Sequence, residues 1–202
     1  GLTLAIYGQS SLKVDIHQFT TPLESQVWDD RFSALTGCQE ANDWLSDALE
    51  MDLQLVYIGP QSQRERPVLG GQALGFADGY PYLLLGENSV SDLNLRLQAA
   101  GQNAVDVRQF RPNLVVGGAD PYAEDGWSRI RIGEIEFELP KLCTRCVFTT
   151  VNPDSGFKHP QQEPLRTLSQ YRKQEIGVCL GQNLVARNTG ILRLGDRVEV
   201  LA

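Results

Sequence analysis

The feature that most constrains the fold is a strict alternation of charged and apolar residues in the second half of the chain. It runs through residues 129–132 and 134–139, which join at Gly133, and it returns in residues 192–201. A period of two sends successive side chains to opposite faces of a strand. These segments therefore predict a sheet with one solvated face and one buried face.

Other segments add short strands and a few helices. Runs of apolar and β-branched residues between turn formers predict further strands, at residues 2–6, 12–16, 53–58, 114–116, 178–188 and 191–201. Helical spacing predicts three helices, over residues 39–50 with Trp44 as core anchor, from Asn88 or Ser89 to about Gly101, and from Glu163 onward. The polar residues 61–67 predict an exposed loop. The fold class expected is a β-rich α+β domain whose sheet closes into a barrel, with a few peripheral helices.

Composition narrows the classes of partner and location. The 202 residues are 42% hydrophobic, which is enough for a sizeable core, and 25 acidic against 18 basic side chains give a net charge of −7. That charge argues against binding nucleic acid. No apolar run approaches the roughly 20 residues that cross a bilayer, which argues against membrane insertion. Four cysteines without a secretory signal favour reduced thiols, and a cytoplasmic location is predicted.

Two of the four cysteines form the motif Cys143-Thr144-Arg145-Cys146. The β-branched and aromatic residues 147–151 that follow predict a strand, so the pair is expected where a loop enters a strand. A Cys-x-x-Cys pair is typical of half a zinc site or of a redox dithiol.

The rest of the sequence offers little support for either of these interpretations. There is no second Cys-x-x-Cys pair, and the remaining candidate ligands are scattered, at Cys38, Cys179, His17 and His159. A thioredoxin-like pair would follow a strand and open a helix, whereas this pair precedes the predicted strand. A thiolate ligand to a metal carried by a cofactor remains, with the charge of Arg145 favouring the ionised thiol.

Two turns carry further candidates. Pro112 stiffens the turn that displays Arg111 and Asn113, and the planar guanidinium of arginine suits a phosphate group. In the turn at Asp78 and Gly79, the carboxylate could accept hydrogen bonds from a heterocycle and the glycine permits close approach of the backbone. Each turn can equally be an ordinary surface turn.

These residues together resemble the MOSC domain family, closest to the YcbX-like bacterial proteins and the mitochondrial amidoxime-reducing components. The order is Ala-Asp-Gly-Tyr-Pro, Phe-Arg-Pro-Asn, Tyr-Ala-Glu-Asp, Cys-Thr-Arg-Cys-Val-Phe-Thr-Thr-Val-Asn-Pro and Gly-Gln-Asn. The resemblance covers residues 51–202 as the MOSC domain, a β-barrel, and more weakly residues 1–50 as the remnant of an N-terminal β-barrel domain. It implies a molybdenum cofactor, molybdenum held by molybdopterin.

The resemblance also implies roles for individual residues. The second cysteine, Cys146, would be the metal ligand and the catalytic residue, with Cys143 a neighbour. The remaining implied cofactor-binding residues are Asp78, Gly79, Tyr80, Arg111, Asn113, Thr144, Arg145 and Asn183. Relatives carry a serine or threonine pair where this chain has Gly79 and Tyr80, so contacts there are expected to differ.

Activity and partners follow from the same resemblance. The implied reaction is reduction of N-hydroxylated small molecules, amidoximes and hydroxylamine-type bases, fed by a [2Fe–2S] ferredoxin-like domain or another electron donor. The family's N-terminal cofactor contacts are expected to precede Gly1, and a ferredoxin-like domain would follow Ala202, so this fragment alone is not expected to be competent. The alternatives are a non-catalytic cofactor or sulfur carrier, as in cofactor sulfurases, and a structural β-domain with an incidental cysteine pair.

Overall fold

The computed structural model describes residues 1–8, 10–62, 64, 69–72 and 74–202. The chain forms two compact units, Gly1–Gly79 and Tyr80–Ala202. The boundary near residue 50, between a remnant and the main domain, stays a prediction.

Within its described residues, the N-terminal unit contains two hairpins, one α-helix and a 3-10 turn at Ile16–Gln18. The strands β1 (Leu2–Leu4) and β2 (Leu12–Val14), predicted over residues 2–6 and 12–16, pair as the first hairpin. A second hairpin joins β3 (Thr21–Val27) to β4 (Asp30–Thr36). The sequence predicts only a short extended piece that begins at Val27 and Trp28, before Thr36. It does not reveal β3, whose side chains are at most half-buried and therefore show no apolar pattern. The predicted strand at 53–58 is wrong, since it forms only an isolated bridge between Tyr57 and Leu35.

The first predicted helix is confirmed as α1 (Gln39–Leu49). Its buried positions are Ala41 and Asn42, and Ala41 packs in a small core with Val14 and Phe19. Trp44 is only half-buried and donates its indole N–H to the carbonyl of Ser10 at 3.2 Å. The expected aromatic anchor is therefore replaced by a small side chain, which lets the helix approach the hairpin closely.

The C-terminal unit is built on a single twisted sheet with two helices. Its strands are β5 (Tyr82–Gly86), β6 (Leu114–Val116), β7 (Arg129–Ile132), β8 (Ile135–Thr144), β9 (Lys173–Gln174), β10 (Gly177–Ala186) and β11 (Val198–Val200). The order across the sheet is β11-β7-β8-β10-β5-β6, and β9 pairs with β10. Neighbours are antiparallel except for the parallel pair β5–β6. The helices are α2 (Glu87–Ala99) and α3 (Leu165–Tyr171). This strand-rich, nearly closed barrel-like sheet with few helices confirms the predicted fold class.

The alternation has the predicted structural meaning. The apolar members of β7 and β8 form the core on one face of the sheet, at Ile130, Ile132, Ile135, Phe137 and Leu139. On the other face, Leu180 of β10 packs with Leu93 and Leu97 of α2 and Leu168 of α3. Because β10 contributes to both cores, it is the central buried strand, and the strand β8 beside it carries the cysteine pair at its end.

The strand predicted at 147–151 is wrong. Val147–Thr150 forms a 3-10 turn instead, headed by Cys146. The carbonyl of Cys146 accepts from the backbone N–H and the hydroxyl of Thr149, at 3.2 and 2.9 Å, and the hydroxyl of Thr150 donates to the carbonyl of Val147 at 2.7 Å. Threonine hydroxyls that bond local backbone compete with sheet pairing, which explains why β propensity fails here.

Two other boundaries also differ from expectation. The helix α2 begins at Glu87, so neither Asn88 nor Ser89 is its N-cap. Ser89 lies inside the first turn, where its hydroxyl donates to the buried carboxylate of Glu124. In the predicted strand at 191–201, only Val198–Val200 pairs with β7.

Candidate functional site

The four cysteines fall into two classes by exposure. Cys146 is exposed and Cys143 half-buried, whereas Cys38 and Cys179 are buried. Burial raises the pKa of the Cys179 thiol, which keeps that thiol neutral. The two thiols of the motif are thus the ones that a ligand can reach.

The motif occupies the junction between a strand and a turn. Thr144 is the last residue of β8, and Cys146 precedes the 3-10 turn. The predicted loop-to-strand context is therefore wrong, and it no longer counts against a redox dithiol. Within the described ranges, no three His, Cys, Asp or Glu side chains are grouped so as to hold a metal ion. The protein by itself thus supplies a single exposed thiol, which suits a metal that is otherwise held by its own cofactor.

Arg145 connects the motif to a neighbouring turn. Its Nη1 donates to Cys143 Sγ at 3.0 Å and its Nη2 to the carbonyl of Phe110 at 2.6 Å. Its Nε is buried and has no acceptor among the residues that the structure describes. The guanidinium thus bonds Cys143, and the effect of its charge on Cys146 stays a prediction.

The turn reached by Arg145 carries Arg111. Val107–Phe110 is a 3-10 turn that ends at Arg111 in the left-handed region, with φ of 53°. Arg111 is exposed, and its guanidinium carbon lies 5.6 Å from the centre of the Phe148 ring. Gln109 Nε2 donates to the carbonyl of Thr149 at 3.0 Å. Arg111 and Cys146 therefore belong to two 3-10 turns that pack against each other.

Two asparagines line up across the adjacent strands. Asn113 and Leu83 are joined by two hydrogen bonds. The backbone N–H of Leu83 donates to Asn113 Oδ1 at 2.8 Å, and the backbone N–H of Asn113 donates to the carbonyl of Leu83 at 2.9 Å. Leu83 is paired in register with Asn183. Asn183 Nδ2 donates to the carbonyls of residues 141 and 142, at 3.2 and 3.3 Å. Asn183 thus bonds the backbone of β8 just before the cysteine pair, whereas Asn113 bonds the backbone of β5, two strands away in the sheet.

The remaining predicted residues are less closely associated. Thr144 is exposed and pairs in register with Cys179, and Tyr80 is half-buried at the start of the C-terminal unit. Asp78 and Gly79 belong to the N-terminal unit. There, Asp78 Oδ1 accepts from the indole N–H of Trp28 at 3.3 Å.

Sequence reasoning missed an arginine that holds the Asp78 turn. Arg64 lies in the stretch expected to be an exposed loop, of which residues 63 and 65–67 fall outside the described residues. Its side chain is only 1% exposed and pairs with Asp30 at 3.0 Å. Its guanidinium donates to the carbonyls of Gly75, Ala77 and Asp78. A single buried arginine produces no periodic pattern in the sequence. Because Arg64 stands among other polar and charged residues, it looks like part of an exposed loop.

The donors of the C-terminal unit suit the cofactor that the resemblance implies. An exposed thiol is the protein ligand that a soft or high-valent metal requires. The guanidinium of Arg111 is exposed and offers a fork of donors to a phosphate. These residues fit a molybdopterin-bound metal better than a free ion.

Comparison with known proteins decides the family. The MOSC domain model matches residues 71–199. The chain belongs to the MOSC domain family. Membership of this family supports an association with the molybdenum cofactor, and it confirms the predicted resemblance.

Relatives of this MOSC chain fall into two named groups. It is 34% identical to the mitochondrial amidoxime-reducing component 1 of Danio rerio over 98% of the chain and 60% of the relative. The Homo sapiens protein of the same name is also 34% identical, over 81% of the chain and 52% of the relative. The molybdenum cofactor sulfurase of Oryza sativa subsp. japonica is 33% identical, over 85% of the chain and 22% of the relative. The chain thus spans about half to three-fifths of the length of these reducing components.

The same comparison corrects the predicted location. A cytoplasmic location is wrong, because the matched reducing components are named as mitochondrial proteins. Net charge and cysteine content do not encode the compartment to which a protein is delivered, so composition could not have predicted a mitochondrial location. In the parts of the chain that the structure describes, none of the helices has both the length and the apolar character needed to span a bilayer.

Proposed function

We propose that this MOSC domain binds the molybdenum cofactor in a reductase of N-hydroxylated small molecules, namely amidoximes and hydroxylamine-type bases. The observation that carries the proposal is the pairing of an exposed thiol, Cys146, with the exposed guanidinium of Arg111 on two turns that pack together. The names of the reducing components support the substrate class.

We assign each side chain a role according to the atoms that are still free to bind the metal or to form a hydrogen bond. Cys146 would be the metal ligand and the catalytic residue, and Arg111 would bind the cofactor phosphate. The hydroxyl of Thr144 is exposed beside the pair. Asn113 would act through its amide N–H groups, since its Oδ1 already accepts from Leu83.

The contacts of Asn183 restrict the role that it can have in cofactor binding. Its amide donates to two strand carbonyls, so its proposed contribution is the shape of the backbone before the cysteines. The resemblance assigns Asp78, Gly79 and Tyr80 to cofactor binding as well, and that assignment stays a prediction.

The chemistry requires electrons as well as a site. When bound, the cofactor supplies two-electron chemistry, in which an N–OH group gains two electrons and two protons and becomes N–H with release of water. An electron donor such as a [2Fe–2S] ferredoxin-like domain is the proposed partner. The protein would hold the metal through one thiolate, at the start of the 3-10 turn that follows β8, and would bind the phosphate through a second turn.

Metal analysis of the full-length protein tests this proposal. Protein purified from a cofactor-competent host should contain molybdenum and reduce benzamidoxime with an artificial electron donor. The Cys146→Ser variant should lose the metal, while Cys143→Ser should largely keep it, because serine still accepts from Arg145. Full retention of molybdenum by Cys146→Ser would refute the ligand assignment.

A second candidate function is a cofactor or sulfur carrier. It is favoured by the relatives that are named molybdenum cofactor sulfurases. Cys146 would then carry sulfur or cofactor without catalysing reduction. The benzamidoxime assay separates the two functions, since a carrier should give no rate above that of free cofactor.

A further inference from the structure

Two nitrogens of the Arg145 guanidinium donate hydrogen bonds to acceptors inside the protein. Nη1 bonds Cys143 Sγ, Nη2 bonds the Phe110 carbonyl, and the guanidinium carbon lies 5.4 Å from the centre of the Phe110 ring. Its backbone N–H donates to the carbonyl of Val178 at 2.7 Å. The side chain is thus held between the strand end and the turn before Arg111, and its two terminal nitrogens are directed at protein acceptors.

The bond to Phe110 acts on one particular peptide group. That group joins Phe110 to Arg111, and its N–H donates to the carbonyl of Arg108 at 3.0 Å. Arg145 therefore holds the carbonyl end of a peptide whose amide end is held by the turn itself. The residue that follows, Arg111, has φ of 53°, a conformation that side chains with a Cβ seldom adopt. Such a conformation persists when surrounding bonds determine it.

Other contacts join the same two turns without bonding this peptide. Gln109 reaches Thr149 from the buried side. Arg108 forms a two-pronged ion pair at the surface with Asp154, in the loop that follows the second turn, at 2.9 and 3.0 Å. These contacts fix the spacing of the turns, whereas the Arg145 bond fixes the orientation of the peptide that precedes Arg111.

We propose that Arg145 is a positioning residue, which sets the direction of the Arg111 side chain relative to Cys146 and does not itself contact the cofactor. Cys143 is then the anchor that holds the guanidinium in place. The inference rests on the proposed function for the importance of Arg111, but the positioning itself is a property of the cofactor-free protein.

The first experiment uses cofactor-free protein and a spectroscopic readout. Backbone amide resonances of residues 109–111 and 148 should shift strongly in Arg145→Met and less in Arg145→Lys, which keeps one donor. Arg131→Met, at a half-buried arginine of β7, is the matched control and should leave them in place. Unchanged resonances in a folded Arg145→Met protein would overturn the inference.

The second experiment is a double-mutant cycle on cofactor retention. The readouts are molybdenum per chain and the rate at which pterin is released, followed by its fluorescence after oxidation. We expect Arg111→Met and Arg145→Met each to speed release about tenfold, and the double variant to release no faster than Arg111→Met alone, since coupled residues act as a unit. A roughly hundredfold effect in the double variant would show that Arg145 binds the cofactor independently, which contradicts the inference.

Rescue separates positioning from a general loss of stability. Arg145→Lys should recover part of the retention lost in Arg145→Met, whereas equal losses in both variants would argue against positioning. If the wild-type protein retains no cofactor, the proposed function fails, and the amide spectra of the cofactor-free protein decide the positioning role alone.

Discussion

Arg145 and Glu124 both place a charged group inside the C-terminal unit, but they differ in how many of their hydrogen-bonding atoms have a partner. Glu124 is 1% exposed, and its carboxylate accepts from the N–H of Gly86 at 3.1 Å and from the hydroxyl of Ser89 at 2.8 and 2.9 Å. It lies at the N-terminus of α2, where negative charge is stabilised. Arg145 bonds a thiol, which is a weak acceptor, and has one N–H without an acceptor among the described residues.

The difference separates a structural role from a functional one. A fully satisfied buried group stabilises the fold, and its loss leaves several partners unpaired. A partly satisfied group between two turns stabilises less and is better suited to orient a neighbour. Substitutions at the two places, and around them, should therefore differ in what they change and by how much.

Cys146→Ser in the full-length protein should remove nearly all bound molybdenum, because a hydroxyl is a poor replacement for the thiolate. The free energy of unfolding should change by less than about 0.5 kcal/mol, since the side chain is exposed. Metal analysis and urea denaturation measure the two effects. A large loss of stability would mean that the cysteine turn is structural, and the contrast with Glu124 would fail.

Glu124→Ala should lower the free energy of unfolding by about 3 kcal/mol, because a buried N–H and a buried hydroxyl lose their acceptor. Urea denaturation of the chain checks this value. Glu175→Ala, at an exposed glutamate, is the control and should stay within about 0.5 kcal/mol. A cost below about 1 kcal/mol for Glu124→Ala would contradict the structural role.

Gly86→Ala tests the same pocket from its other side. An added Cβ would lie 2.7 Å from both Glu124 Oε2 and Ser89 Oγ, so one of these groups must move. We expect a loss of about 2 kcal/mol, as for other overpacked sites. Gly126→Ala is the matched control, since its Cβ would meet nothing within 4 Å. Equal stability of the two variants would show that the pocket has room to adjust.

Acid should weaken the α2 region through Asp92. Its hydrogen bond from Arg96, aided by one from the Tyr122 hydroxyl, lowers the pKa of Asp92 below its ordinary value of 3.8. This carboxylate therefore contributes stability above pH 3.8, and the contribution is lost as the pH falls through the lower folded value. Denaturation from about pH 5 to about pH 2 should show a shallower fall for Asp92→Asn. An identical slope would exclude this carboxylate as a source of acid sensitivity.

The sheet could be predicted from the sequence more fully than the site, because burial of one face leaves a periodic pattern and individual polar contacts do not. Alternation predicted β7 and β8 because one face of each is buried, and the apolar spacing near Glu163 predicted α3. The run 147–151 was misassigned because its threonine hydroxyls bond the local backbone, which residue preferences do not register. Arg64 was missed because its burial depends on four partners distant in sequence.

The sequence by itself determined the strand-rich class, the cysteine motif and the family, since periodicity and motif order are local properties of the chain. The tertiary structure decided which thiol is exposed, that the turns of Arg111 and Cys146 pack together, and that Arg145 bonds Cys143 and Phe110. Those facts depend on how β8, β10 and the two 3-10 turns meet in space. Contacts that depend on how separate segments of the chain meet have no signature in the order of the residues alone.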